Sequence, residues 1–69
     1  MTRTYITPDE LETTLKNAGF IVHLGPDGES FIASLNRNLH TSEVLAALDY
    51  NEAFAYRRVN RNEVQVSYA

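Results

Sequence analysis

The sequence predicts a small α+β domain: an antiparallel sheet of four to five strands with two short helices on one face, in the order β-α-β-β-α-β-β. Three observations carry this. Two stretches, starting near Thr7 and Thr41, set apolar residues at helical spacing behind capping residues. Two pairs of strand-like runs are each joined by a short polar turn. The 69 residues suffice for one domain with a single core, spanning residues 1–69.

The first expected strand is short, covering residues 3–6 (Arg-Thr-Tyr-Ile). The helix that follows, TPDELETTLKNAG, is well punctuated. Thr7 caps it, Pro8 suits its first turn, Glu10 completes a Thr-x-x-Glu capping box, and Gly19 takes the left-handed stop. Leu11, Leu15 and Ala18 form its one apolar stripe.

The stretch FIVHLGPDGESFIASL reads as a hairpin. A four-residue loop over 25–28 sets Val22 opposite Phe31 and Phe20 opposite Ala33, with Leu24 and Leu35 on the same core-facing side. The other side then pairs Ile21 with Ile32 and His23 with Ser30. After a polar link, LHTSEVLAALDY predicts a helix of two to three turns. Thr41 or Ser42 is its cap, and Val44, Leu45 and Leu48 turn inward.

The last hairpin runs over 53–68 with a three-residue loop of Asn60, Arg61 and Asn62, an Asn taking the left-handed position. This register pairs Tyr56 with Val66 and Phe54 with Tyr68, so five apolar or aromatic side chains gather on one side. Ala55, Arg57, Val59, Glu63, Gln65 and Ser67 fall on the outer face, Arg61 at the tip and Arg58 at the fringe of the core side. Two arrangements fit the order: a miniature ferredoxin-like sandwich with an extra strand, or two αββ units in pseudo-symmetry, with Leu11 matching Val44 and Leu15 matching Leu48.

Composition narrows the function classes. The charged fraction of 22% and hydrophobic fraction of 43% are those of a globular chain. The opening residues lack a signal-peptide pattern and no apolar run reaches membrane length, so a cytoplasmic protein without membrane contact is expected. With no Cys and two His, neither disulfides nor a metal is expected to reinforce so small a core, which leaves a partner or a second copy of the chain. The net charge of −3 argues against a protein living on phosphate contacts.

No catalytic set emerges: His23 and Ser30 lack a third group, and Asp9, Glu10 and Glu12 sit where a helix dipole favours acids. No catalytic, cofactor or metal residue is assigned, and no enzyme activity is expected. The Gly-Pro-Asp-Gly stretch is a hairpin turn rather than a nucleic-acid clamp, since it joins strands and presents Asp27. What remains is an interaction surface. Ile21, Ile32 and Val59, with Arg57 and Arg61 beside them, form the expected partner-binding set, an apolar centre with a polar rim. The expected role is a small regulator, inhibitor or adaptor that binds a larger protein, of the kind phage and plasmids carry as accessory proteins, with self-association into a homo-oligomer also open. Nucleic-acid binding through the Arg57 to Arg61 hairpin, with Arg37 nearby, is the alternative.

Overall fold

A computed structural model describes residues 7–69, and the strand expected over residues 3–6 lies outside them. The described chain runs α1 (Pro8–Asn17), β1 (Ile21–Leu24), β2 (Phe31–Ser34), α2 (Thr41–Ala47), β3 (Phe54–Asn60) and β4 (Glu63–Tyr68). Its four strands form one antiparallel sheet in the order β1-β2-β4-β3, the α+β fold expected. Each hairpin contributes one central and one edge strand, and β2 meets β4 in the middle. This is the two-unit arrangement: α1 lies against β1, α2 against β3, and the helices touch each other.

α1 begins as its sequence dictates. Glu10 N–H donates to Thr7 Oγ1 at 3.3 Å and Thr7 N–H to Glu10 Oε1 at 3.3 Å, so two orphan donors of the first turn are satisfied reciprocally. Gly19, at φ 99°, ends the helix, and Phe20 N–H reaches back to Leu15 C=O at 3.2 Å. α2 is capped differently from the expectation. His40, not Thr41 or Ser42, holds the N-cap, because Glu43 turns back to accept its N–H at 3.0 Å. Two consecutive left-handed residues, Asp49 at φ 56° and Tyr50 at φ 55°, end this helix, with Tyr50 N–H on Leu45 C=O at 2.8 Å.

Leu11 and Leu15 from α1, Val44 from α2 and Leu48 at its C-cap bury themselves against Phe31, Ala33, Val64 and Val66. Since all four sheet residues share one face, both helices cover the same side. Leu39, in the linker before α2, is fully buried as well, and its N–H donates to Arg61 C=O at 3.0 Å. A lone apolar residue among polar neighbours offers no periodicity from which to predict that.

The β1-β2 register differs from the expected one by two residues. Ile21 pairs with Ser34 rather than Ile32, Val22 with Ala33 rather than Phe31, and His23 with Ile32 rather than Ser30; Ala33 therefore does not face Phe20. The faces are unchanged, because a shift of two preserves alternation. Asp27 is the cause. Its Oδ1 accepts from Glu29 N–H, Ser30 N–H and Ser30 Oγ at 3.0, 3.0 and 2.8 Å, drawing residues 29 and 30 into a six-residue loop. Gly25 N–H closes that loop on Ser30 C=O at 2.7 Å, and a Cβ on Gly25 would collide with Ser30 Oγ.

The β3-β4 register is the expected one: Tyr56 faces Val66 and Phe54 faces Tyr68, the last two rings 5.2 Å apart. Its tip is not. A bulge between Arg58 and Asn60 leaves Asn60 opposite Glu63, and neither Asn60 nor Asn62 adopts a left-handed φ. Asn60 builds the turn instead, accepting Asn62 N–H on Oδ1 at 3.0 Å and donating from Nδ2 to Glu63 Oε1 at 2.6 Å.

Candidate interaction face

The helix-free face of the sheet is read row by row from the pairing. One row runs His23, Ile32, Gln65, Arg57 across all four strands; the next runs Ile21, Ser34, Glu63, Asn60. Among the described residues, no helix or strand covers these rows. Several polar side chains here are bonded to one another or to the backbone. Gln65 Nε2 donates to Ser30 Oγ at 2.7 Å, Ser30 Oγ donates in turn to Asp27, and Ser34 Oγ donates to Ile21 C=O at 3.3 Å. Ser30 and Ser34 are buried, and these bonds give their hydroxyls partners.

Of the five expected partner-binding residues, the fold brings three together. Ile21, Ile32 and Arg57 lie on this face: Ile32 is half-buried, Ile21 is 47% exposed, and Arg57 is exposed with no ion pair among the described residues. Val59 is 45% exposed, but as the extra residue of the bulge it stands outside the rows that pair Arg58 with Val64 and Asn60 with Glu63. Arg61 occupies the tip, an exposed residue whose carbonyl is fixed by Leu39 N–H and by Arg58 Nη2 at 3.2 Å.

The arginines do not converge. Arg57 belongs to the open face, whereas Arg58, opposite Val64, belongs to the helix-bearing face. Arg37 is committed elsewhere: its Nη2 meets Glu43 Oε1 at 2.8 Å and its Nη1 bonds Glu43 Oε2 and Asn38 C=O. That pairing, with the His40 N–H bond, holds the Glu43 carboxyl at a pKa of about 2. Hydrogen bonds from Glu29 and Ser30 likewise lower the Asp27 carboxyl from its ordinary value.

Two further apolar residues are exposed that no sequence pattern marks. Leu24 belongs to the helix-bearing face as expected, yet it stands on the edge strand and is 61% exposed. Tyr50 is 66% exposed on the turn after α2. Beside Leu24, a depression between the start of α1 and the β1-β2 loop is lined by Asp9, Glu12, Glu29 and Phe31, with no hydroxyl, thiol, amine or imidazole side chain among its lining residues. His23 and Ser30, the candidate reactive pair, sit in different rows, and Ser30 is committed to Asp27 and Gln65. Among the described residues no three His, Cys, Asp or Glu side chains gather as metal ligands, and no helix is long and apolar enough to cross a membrane.

Comparison of the chain with protein-family models, with curated proteins and with solved structures returns no match.

Proposed function

We propose that this chain is a non-enzymatic, cytoplasmic protein-binding module, a small regulator, inhibitor or adaptor, that engages a larger protein through the helix-free face of its sheet. One observation carries the proposal: Ile21 and Ile32 stand on an uncovered face beside His23, with Gln65 bonded to Ser30, Asn60 to Glu63, and Arg57 at the far side. A core of desolvatable aliphatic groups inside a polar rim is the anatomy of a protein interface. The bonded pairs of Gln65 with Ser30 and Asn60 with Glu63 also lower the desolvation cost of docking.

The test compares wild type with Ile32→Asp in pull-downs from lysate of the native source, with and without nuclease. A protein captured by wild type after nuclease, and lost with Ile32→Asp while the helical circular-dichroism signal persists, supports the proposal. Equal capture by the variant removes this face. The nucleic-acid alternative draws less support, because Arg57, Arg58 and Arg61 divide between two faces and a tip. Its signature is capture that vanishes with nuclease and falls with Arg57→Ala and Arg61→Ala.

A further inference from the structure

The two edges of the sheet are built differently. β3 carries Arg57 and Arg58 and is broken by a bulge at Val59, all devices that discourage another strand from adding. β1 is Ile-Val-His-Leu, with no Asp, Glu, Lys, Arg or Pro and no bulge, and with Ile21 and Leu24 about half or more exposed. An unguarded edge of this kind presents backbone donors and acceptors ready to pair.

Which groups those are follows from the ladder. Gly25 N–H points at β2, where it meets Ser30 C=O, so alternation directs His23 and Ile21 toward β2 as well. Val22 and Leu24 therefore direct both N–H and C=O outward, away from β2, and no turn, loop or cap among the described residues takes up any of these four groups.

We infer that the chain forms a homodimer by antiparallel pairing of β1 with β1 of a second copy, about a two-fold axis at His23, which makes one continuous eight-stranded sheet. The hydrogen-bonding groups select both occupant and register. Opposed residues must share a face, so the axis passes through a residue, and pairing three strand residues restricts it to Val22 or His23. An axis at Val22 would require Phe20 N–H to serve the copy's Leu24 C=O, yet that N–H is already held by Leu15 C=O. An axis at His23 sets Val22 against the copy's Leu24 and Leu24 against the copy's Val22. Four interchain bonds then satisfy every outward group on both strands.

The side chains agree with that register. On the helix-bearing face it stacks Val22 on the copy's Leu24 twice, covering the most exposed large aliphatic side chain among the described residues. On the open face it sets His23 beside its own copy. The inference goes beyond the proposed function, since it concerns the edge of the sheet rather than its face: a dimer without partner capture, or capture by a monomer, separates the two.

Analytical ultracentrifugation of wild type over a concentration series, with crosslinking of single-cysteine variants, tests it. A non-hydrogen-bonded antiparallel pair has Cα atoms ~4.5 Å apart, within disulfide range, so His23→Cys should form an interchain disulfide under mild oxidation. Ile32→Cys, one strand further in, would have its copy about 14 Å away at ordinary strand spacing and should not. His23→Lys should abolish the dimer by setting like charges face to face, and mixing it with His23→Glu should restore a heterodimer. His23 is exposed, so circular dichroism should show these variants folded. A wild type that stays monomeric at the highest concentration, with His23→Cys uncrosslinked, overturns the inference. Crosslinking through Ile32→Cys in place of His23→Cys overturns it too, since the copies would then meet through their faces.

Discussion

Removing the Tyr56 hydroxyl should stabilise the fold. Tyr56 lies in the helix-side row Leu24, Phe31, Val66, Tyr56, where its ring packs on the core and its hydroxyl oxygen is buried with no hydrogen-bond partner among the described residues. A buried polar group without a partner costs about 1–3 kcal/mol relative to its solvated state. Tyr56→Phe keeps the ring and deletes that cost, so unfolding free energy should rise by about that amount. In a domain of this size each kcal/mol moves the melting midpoint by roughly 4–8 °C. Thermal and urea unfolding of both proteins at neutral pH measure the gain. A second assay uses the same hydroxyl: burial raises its pKa above the ordinary 10.0, so the folded state keeps the proton longer than the unfolded chain. The unfolded chain then binds fewer protons, and wild-type stability falls as pH rises through 10 toward the folded value. Tyr56→Phe should lack that part of the alkaline loss. An unchanged or lowered midpoint at neutral pH would refute the reasoning, because it would mean the hydroxyl has a partner in solution.

Other perturbations address the caps, the turn and the loop. Glu43, whose carboxyl titrates at about 2 in the fold against an ordinary 4.5, contributes stability that is present above 4.5 and lost as pH falls toward 2. Glu43→Gln should therefore be less stable than wild type at neutral pH, with the difference closing across that acid window in a pH series of urea melts. Tyr50 holds a left-handed φ while mostly exposed. Relief of ~1–2 kcal/mol of backbone strain exceeds the ~0.5–1 kcal/mol entropic cost of glycine, so Tyr50→Gly should raise the melting midpoint, whereas Tyr50→Ala should not. Asp27→Ala should strip the Ser30 amide of its hydrogen-exchange protection and lower the midpoint, while a Ser30 amide that stays protected would mean another acceptor holds the loop.

Residues whose roles depend on near neighbours are legible in the amino-acid order. Thr7, Pro8, Glu10 and Gly19 define α1 because a capping box and a left-handed stop involve only a few consecutive positions. Alternation likewise sorts the strand residues between faces, which is why Ile21, Ile32 and Arg57 fall on the open side in both sequence and fold. Side-chain alternation has a period of two, however, and is blind to a slip of two. It cannot distinguish His23 opposite Ser30 from His23 opposite Ile32, and three hydrogen bonds to Asp27 make that choice. The bulge that takes Val59 out of the rows is hidden for a similar reason, since it depends on what the Asn60 side chain bonds.

The order of amino acids thus dictates the helices, the two hairpins, the side of the sheet on which the strand residues outside the bulge fall, and the poverty of reactive groups. These follow from steric preference, capping and periodicity, which act over a few residues. Long-range packing is what brings β2 and β4 together in the middle, spends Arg37 on Glu43, and makes β1 and β3 edges of opposite character. Those outcomes rest on contacts between segments separated in the chain, where competing pairings differ by a few hydrogen bonds and no local pattern records which set forms.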